Sequence, residues 1–191
     1  MATTQPIRSK NQVRELSAYY LKLGQIRNHV LLVLCLYTAL RISDILRLTW
    51  NDVYDFTNKR VRSSINIIEK KTRKQKTIAL NSKIISALAI YAAIAAQSGR
   101  FLIENRITKK AISRIQAYRI IRNAAEALSF QNRVSCHSLR KTFGYFAWKG
   151  GVSPAIIMEI YNHSSLAVTR RYLGVTQEEK DAVYLSIEMT I

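Results

Sequence analysis

Apolar residues recur at helical spacing in the first part of the chain. Over residues 11–38 they stand three and four positions apart, with one break near Gly24. The segment before Gly24 is apolar on one face, whereas the segment after it is apolar nearly all round, as in a helix at the centre of a core. These residues predict two helices. A short helix over 44–48 should follow, with Ser43 as its N-cap and Asp44 in its first turn.

The pattern changes to short runs of β-forming residues between positions 52 and 80. Polar, turn-like clusters at 57–59 and 70–75 separate three such runs. This part of the chain therefore predicts a small three-stranded antiparallel sheet.

Helical spacing returns in the second half of the chain. One helix is predicted over 82–97, with Ser82 as its N-cap, and another over 110–128. The last third predicts three or four more helices, with breaks at 150–151 and at Asn162.

The order of helices, a small sheet and more helices indicates one α+β domain, mainly α-helical, over residues 1–191. The polar residues 1–10 are expected to be flexible. At 48% hydrophobic residues the chain can bury a core, which excludes a disordered basic tail.

The charge balance points to a polyanionic partner. Thirty Lys and Arg face twelve Asp and Glu, which gives a formal net charge of +18. Nucleic acid is the usual partner of so basic a domain, and an anionic membrane is the alternative. The longest apolar runs, 30–37 and 87–96, are at most about half of the roughly 20 residues that a membrane span needs. We therefore expect double-stranded DNA as the partner and no membrane.

The two cysteines do not make a disulfide framework. Cys35 lies in an apolar run and should be buried, and Cys136 has no second Cys/His pair nearby at zinc-ligand spacing. The sequence also has no glycine-rich phosphate loop and no carboxylate cluster suited to Mg²⁺. We expect no metal, no cofactor and a reducing, cytoplasmic setting.

Four separated segments carry the candidate chemistry. They are TALRISDILRLTWNDV at 38–53, KKTRKQKTIAL at 70–80, HSLRKTFGYFAWKGG at 137–151 and YNHSSLAVTRRYLG at 161–174. In this order and spacing they resemble the motifs of the tyrosine recombinases, also called phage-type integrases. The resemblance implies the catalytic fold of that family. It also implies site-specific cleavage and rejoining of DNA through a 3′-phosphotyrosine intermediate, in integration, excision or inversion.

The resemblance assigns Arg41 and Arg140 as a clamp on the scissile phosphate. Planar guanidinium groups suit this task because they match phosphate geometry and stay charged. Asp44 would lie near Arg41 and orient it. His137, three residues before Arg140 and so on the same helix face, would bind phosphate or transfer a proton. His163 would donate a further hydrogen bond to the phosphate.

Tyr172 is implied as the nucleophile. A phenol has a pKa of about 10, so surrounding positive charge and a nearby base must favour the phenolate. The basic flank of Arg170 and Arg171 supports this choice. The competing tyrosines are Tyr161, which precedes the histidine of the fourth motif, and Tyr184, which falls in a predicted C-terminal helix.

The family uses a lysine of the β-hairpin to protonate the leaving 5′ oxygen. The candidates here are Lys70, Lys71, Lys74 and Lys76, and alignment on the Lys-Thr pair selects Lys71. The other basic residues of the motifs are expected to contact DNA: Lys70, Arg73, Lys74, Lys76, Lys141, Arg170 and Arg171.

The chain departs from the family pattern at several positions. Asn162 replaces the usual Gly before the histidine and could alter the turn that aims it, and Tyr161 replaces the usual Leu. Lys141 stands where many members carry a second His, and Ala39 replaces a common Gly. Only about 37 residues precede the first motif, so we expect no N-terminal core-binding domain in this chain. The chain is then either an excised catalytic domain or a short member that is similar to the fimbrial switch invertases.

The resemblance also implies an assembly. We expect a tetramer on paired DNA sites, with a monomer possible without DNA and accessory DNA-bending proteins as possible helpers. Such a protein would be associated with the nucleoid. The C-terminal residues after Tyr172 could dock on a neighbouring protomer or on their own domain. The rival functions are DNA relaxation like that of a type IB topoisomerase and non-catalytic DNA-binding regulation.

Overall fold

The structure is a computed structural model that describes residues 4–97 and 99–187, with Arg171 described in its backbone alone. The described residues form ten α-helices and four short β-strands in chain order. They are α1 (Lys10–Lys22), α2 (Ile26–Tyr37), α3 (Ile42–Ile45), α4 (Trp50–Val53), β1 (Tyr54–Asp55), β2 (Arg60–Val61), β3 (Ser64–Ile68), β4 (Gln75–Ala79), α5 (Ser82–Ala95), α6 (Arg114–Ala127), α7 (Cys136–Lys149), α8 (Pro154–Tyr161), α9 (Leu166–Leu173) and α10 (Gln177–Ser186).

Helix α2 is the centre of the core, as its apolar sequence predicts. It is buried along nearly its whole length and packs against α1, α5 and α7. The break before it falls at Gly24, whose φ of +67° a residue with a side chain rarely adopts. Cys35 is buried within α2, as expected. None of the described helices is long and apolar enough to cross a membrane.

The predicted three-stranded sheet is wrong in its detail. Within the described residues, β1 pairs with β2 and β3 pairs with β4, in two separate antiparallel sheets. The predicted run between the polar clusters at 57–59 and 70–75 is divided into two strands, because neighbouring residues within it form backbone hydrogen bonds to different partner segments. The amide of Arg62 donates to Val53, whereas the carbonyl of Ser63 accepts from Leu80. The chain therefore passes from one hairpin to the next.

Two predicted helix caps are also wrong. Helix α3 begins at Ile42 with Arg41 as its N-cap, not at Asp44 after Ser43. Helix α5 is capped by Asn81, whose side chain accepts from the amide of Ile84 at 3.0 Å. Asn81 and Ser82 are both residues that favour the N-cap, so local preference does not decide between them. Arg41 makes no side-chain cap hydrogen bond.

The N-terminal segment, which the sequence predicts to be flexible, contacts the domain from residue 4 onward. Ile7 is buried, and its amide donates to Thr142 Oγ1 at 2.9 Å. The Arg8 guanidinium donates to the Gly174 carbonyl at 2.8 Å. The rest of the expected flexible stretch, residues 1–3, lies outside the described residues.

Candidate active site

Five of the six predicted catalytic residues line one open cleft of about 740 Å³. They come from the α3 N-terminus, the turn between β3 and β4, α7 and α9, which the fold brings to one side of the domain. These residues are Arg41, Lys71, His137, Arg140 and Tyr172. The sixth, His163, lies behind the cleft with its ring 4.5 Å from that of Tyr172 between centroids.

The two arginines share one backbone acceptor. Arg140 is almost fully buried, and its guanidinium donates to the carbonyls of Ala39 and Tyr161. Arg41 also donates to the Tyr161 carbonyl, at 3.4 Å. This carbonyl is the last of α8, where a helix leaves acceptors without a partner and carries partial negative charge. The end of α8 thus holds both guanidinium groups side by side.

The Ala39 carbonyl is directed at Arg140 by an unusual backbone. Ala39 has a φ of +55°, a left-handed conformation that costs a residue with a Cβ more than it costs glycine. This explains the common glycine at this position in the family. The residue is fully buried, so the surrounding core holds it in this conformation.

Tyr161 is a structural residue. It is fully buried, and its hydroxyl donates to the Arg140 carbonyl at 2.6 Å. Its ring packs on Gly144, where a Cβ would lie only 2.5 Å from the hydroxyl oxygen. Burial raises the pKa of this phenol far above its ordinary value. Tyr161 is therefore unsuited to be the nucleophile.

Tyr172 is the tyrosine of the described residues that lines the cleft. It is half-buried, and its ring lies between the imidazoles of His137, 4.9 Å away, and His163. The Lys141 ammonium lies over the same ring, 5.5 Å from its centroid. Tyr184, the other competitor, is 78% exposed on α10 and is not among the residues that line the cleft.

Both histidines next to Tyr172 are neutral at neutral pH. Burial, followed by the positive charges of Arg140 and Arg41, lowers the pKa of His163 to about 4. Its Nδ1 shares a hydrogen bond of 3.0 Å with the hydroxyl of the buried Thr169. Desolvation of its ring and the charge of Lys141 lower the pKa of His137, although part of this side chain remains exposed. A neutral imidazole retains one acceptor nitrogen, so each histidine can take a proton.

The hairpin lysines lie at different depths. Lys71 is exposed in the β3–β4 turn and lines the cleft together with Lys70. Lys76 lies deeper, and its ammonium donates to the carbonyl of Ile160 at the end of α8. Burial is the main cause that lowers the pKa of Lys76 to about 8. Lys76 is therefore an internal residue of the site, which its sequence position among surface lysines did not indicate.

The other predicted DNA contacts also differ in exposure. Arg73, Lys74 and Arg170 are exposed. Lys141, in contrast, is buried, and its ammonium donates to the Thr4 carbonyl at 2.7 Å. The side chain of Arg171 lies outside the described part of the structure.

The carboxylate that holds Arg41 is Glu69, which the sequence analysis missed. Glu69 is fully buried, and its Oε2 lies 3.1 Å from Arg41 Nη1. The expected partner, Asp44, is also buried, but its Oδ1 accepts from the amide of Lys70 at 2.8 Å. Asp44 thus fixes the hairpin. The sequence feature that could have identified Glu69 is its position as a lone acidic residue directly before the basic residues of the hairpin.

The comparisons with known proteins agree with this geometry. The phage integrase family model matches residues 8–179. A relative from Bacillus subtilis (strain 168), named probable integrase/recombinase YoeC, is 35% identical over 184 residues, which are 96% of this chain and 97% of that protein. Two other curated relatives, both named tyrosine recombinase, are longer, and the chain spans 53% and 59% of their lengths.

Solved structures show the same fold. A crystal structure of XerA recombinase has a TM-score of 0.77 at 20% identity, over 96% of this chain and 65% of that one. A structure of XerH site-specific recombinase bound to palindromic difH substrate has a TM-score of 0.75 at 16% identity, over 97% of this chain and 54% of that one. The mainly helical catalytic fold with small antiparallel sheets is thereby confirmed. Since the family model covers most of the chain and a relative that matches 96% of the chain is 35% identical, the chain belongs to the phage integrase family, as its four motifs predicted.

Proposed function

We propose that the chain is a site-specific DNA recombinase that cuts one strand with Tyr172 and rejoins it to a partner duplex. One observation carries the proposal: Tyr172 lines the same cleft as Arg41 and Arg140, with two neutral histidines against its ring. The relatives are named integrases and recombinases, which favours neither the topoisomerase nor the regulator alternative.

The proposed cleavage begins with the scissile phosphate between the two arginines. Its non-bridging oxygens take the donors that now bind the Tyr161 carbonyl, and the guanidinium charges stabilise the extra negative charge of the pentacovalent transition state. The Tyr172 oxygen forms a bond to phosphorus and gives its proton to a neutral histidine. The bond from phosphorus to the 5′ oxygen breaks, and Lys71 protonates that oxygen. Rejoining reverses these steps, so it needs no nucleotide hydrolysis.

The net charge of +18 supports duplex DNA as the substrate and strong salt dependence of binding. Exposed basic residues border the cleft at the hairpin and on α9, in Lys70, Lys74 and Arg170. They would contact phosphates on both sides of the cleaved one. A protein with this substrate would work at the chromosome, in the cytoplasm.

The C-terminal helix supports an assembly of several protomers. None of the described residues of α10 is buried, and Val183, Tyr184 and Leu185 are all more than half exposed. This favours docking on a neighbour over packing on the same domain, because the helix leaves its apolar residues in solvent. The same domain offers an apolar groove of about 720 Å³ between α1, α5 and α7.

Charge complementarity supports this groove as the receptor for a second copy's α10. The first turns of the helix carry Glu178 and Asp181, and the groove is bordered by basic residues of α1 and α5. These basic residues are Lys10, Arg14 and Lys83. Docking of this kind from one protomer to the next would link four protomers on two DNA sites.

The experiment that tests the function captures the covalent intermediate. A pool of duplexes, randomised across the site and nicked at its centre, is incubated with the protein, and SDS-stable complexes are recovered and sequenced. We expect one preferred sequence linked to the protein through Tyr172, and no such complex with Tyr172→Phe. A covalent complex that persists in Tyr172→Phe, or its absence in the natural protein, would refute the proposal.

A further inference from the structure

One buried oxygen joins three segments of the catalytic site. Oε2 of Glu69 accepts from the Thr72 hydroxyl at 2.7 Å and from the Asn162 side-chain amide at 2.8 Å, and it lies 3.1 Å from Arg41 Nη1. Thr72 follows Lys71 in the chain. Asn162 directly precedes His163.

Glu69 is ionised in this setting. Burial alone would raise its pKa, but the hydrogen bonds from Thr72 and Asn162 and the charge of Arg41 outweigh burial and hold the pKa below its ordinary value. A buried carboxylate of this kind is stable only with its donors in place. The positions of its donors are therefore coupled to one another.

Asn162 meets two requirements at once. It ends α8 in the left-handed conformation, with φ 50° and ψ 45°, which asparagine tolerates better than most residues other than glycine. The glycine that is usual in the family would fit this turn but could not donate a side-chain hydrogen bond. The replacement therefore keeps the turn that presents His163 and adds a link from that turn to Glu69.

We propose that Glu69 and Asn162 are a positioning pair, in which Asn162 acts through the Glu69 carboxylate to set Arg41 and to tie the His163 turn to the hairpin of Lys71. The pair has no direct contact with the reacting atoms. Clamp groups must hold their geometry closely for catalysis, so loosening the pair should slow cleavage more than it weakens DNA binding. The role of the pair rests on the recombinase function proposed above.

The test is a double-mutant cycle on the duplex recovered by covalent capture. The single-turnover cleavage rate and the duplex Kd are measured for the natural protein, Asn162→Gly, Glu69→Gln and the double variant. We expect Asn162→Gly to slow cleavage by about tenfold with Kd unchanged, and to have less than about a twofold effect when Glu69 is already Gln.

A matched control lies on the same hairpin. Asn66→Ala removes a surface hydrogen bond of 2.6 Å from Thr77 and should leave the cleavage rate unchanged. Far-UV circular dichroism of Asn162→Gly checks that this mild variant folds, so the test does not depend on Glu69→Gln alone.

The outcomes separate the two proposals. If Asn162→Gly slows cleavage equally in both backgrounds, has no effect, or weakens Kd as much as it slows cleavage, the positioning pair is refuted while Tyr172-dependent cleavage stands. If the natural protein forms no Tyr172-dependent complex with any duplex, both proposals fall together.

Discussion

The two halves of the candidate active-site cleft are held in different ways. On the inner side, Arg140 and Glu69 are buried and bonded to backbone and side-chain groups from several elements. On the outer side, Lys71 is exposed on a hairpin turn and His137 is exposed at the start of α7. The inner half is therefore built by the fold before DNA arrives, whereas the outer half should be completed by DNA. Substitutions in the two halves should have different consequences.

The largest effect is expected on the inner side. Arg140→Ala removes a charged donor from the transition state and should slow cleavage by about a hundredfold or more. It also leaves the buried carbonyls of Ala39 and Tyr161 without this donor, at a cost of about 1–3 kcal/mol in the free energy of unfolding. Arg41→Ala should slow cleavage to a similar extent. Single-turnover cleavage and urea unfolding measure the two effects, and unchanged stability in Arg140→Ala would contradict the inner half as described.

On the outer side, Lys71→Ala should affect chemistry alone. Loss of a general acid should slow cleavage by about a hundredfold, while the free energy of unfolding stays within about 0.5 kcal/mol because Lys71 is exposed. A duplex with sulfur in place of the bridging 5′ oxygen needs no protonation of its leaving group. On that duplex, Lys71→Ala should cleave almost as fast as the natural protein.

Lys76→Ala is the matched control for this assignment. Lys76 lies on the same hairpin but donates inward to Ile160, so its loss should destabilise the site. The sulfur duplex should not restore cleavage in this variant. Restoration in Lys76→Ala and not in Lys71→Ala would transfer the role of general acid to the deeper lysine.

A smaller effect is expected at the C-terminus, which is even less packed than the outer half of the cleft. Leu185 is 84% exposed, so Leu185→Ser should leave the free energy of unfolding unchanged. If α10 docks on a neighbour, the same change should weaken assembly on paired DNA sites by about tenfold, the usual scale for an interface anchor of this size. Native gel electrophoresis of the protein–DNA complexes measures this, with Gln177→Ser on the same helix as the control. Equal effects of the two changes would contradict the docking.

The contrast between the two halves also explains what the sequence could predict. The elements near His137, Arg140 and Tyr172 follow from local periodicity and motif spacing, and the structure brings these residues to one cleft. The role of Glu69 could not be predicted because its contacts with Arg41 and Asn162 join segments far apart in the chain. Local sequence patterns do not encode which acidic residue pairs with which basic one. The half-buried position of Lys76 depends on the approach of α8 to the hairpin, and this contact also joins segments far apart in the chain.

The smallest expected effect is on the pH dependence of stability, and it concerns His163, which lies at the boundary between the two halves. Its folded pKa of about 4 lies below the ordinary value of about 6.5, so in the window between them the unfolded chain binds a proton that the folded chain does not. Stability from this group is therefore complete above about pH 6.5 and falls as the pH is lowered toward about 4. His163→Gln should flatten this fall, as urea unfolding at several pH values would measure. His29 and His137 also have lowered pKa values, so the variant should keep part of the slope. An identical slope in both proteins would mean that the imidazole of His163 is not shielded from water and from protonation as its contacts with Thr169 and Tyr172 indicate.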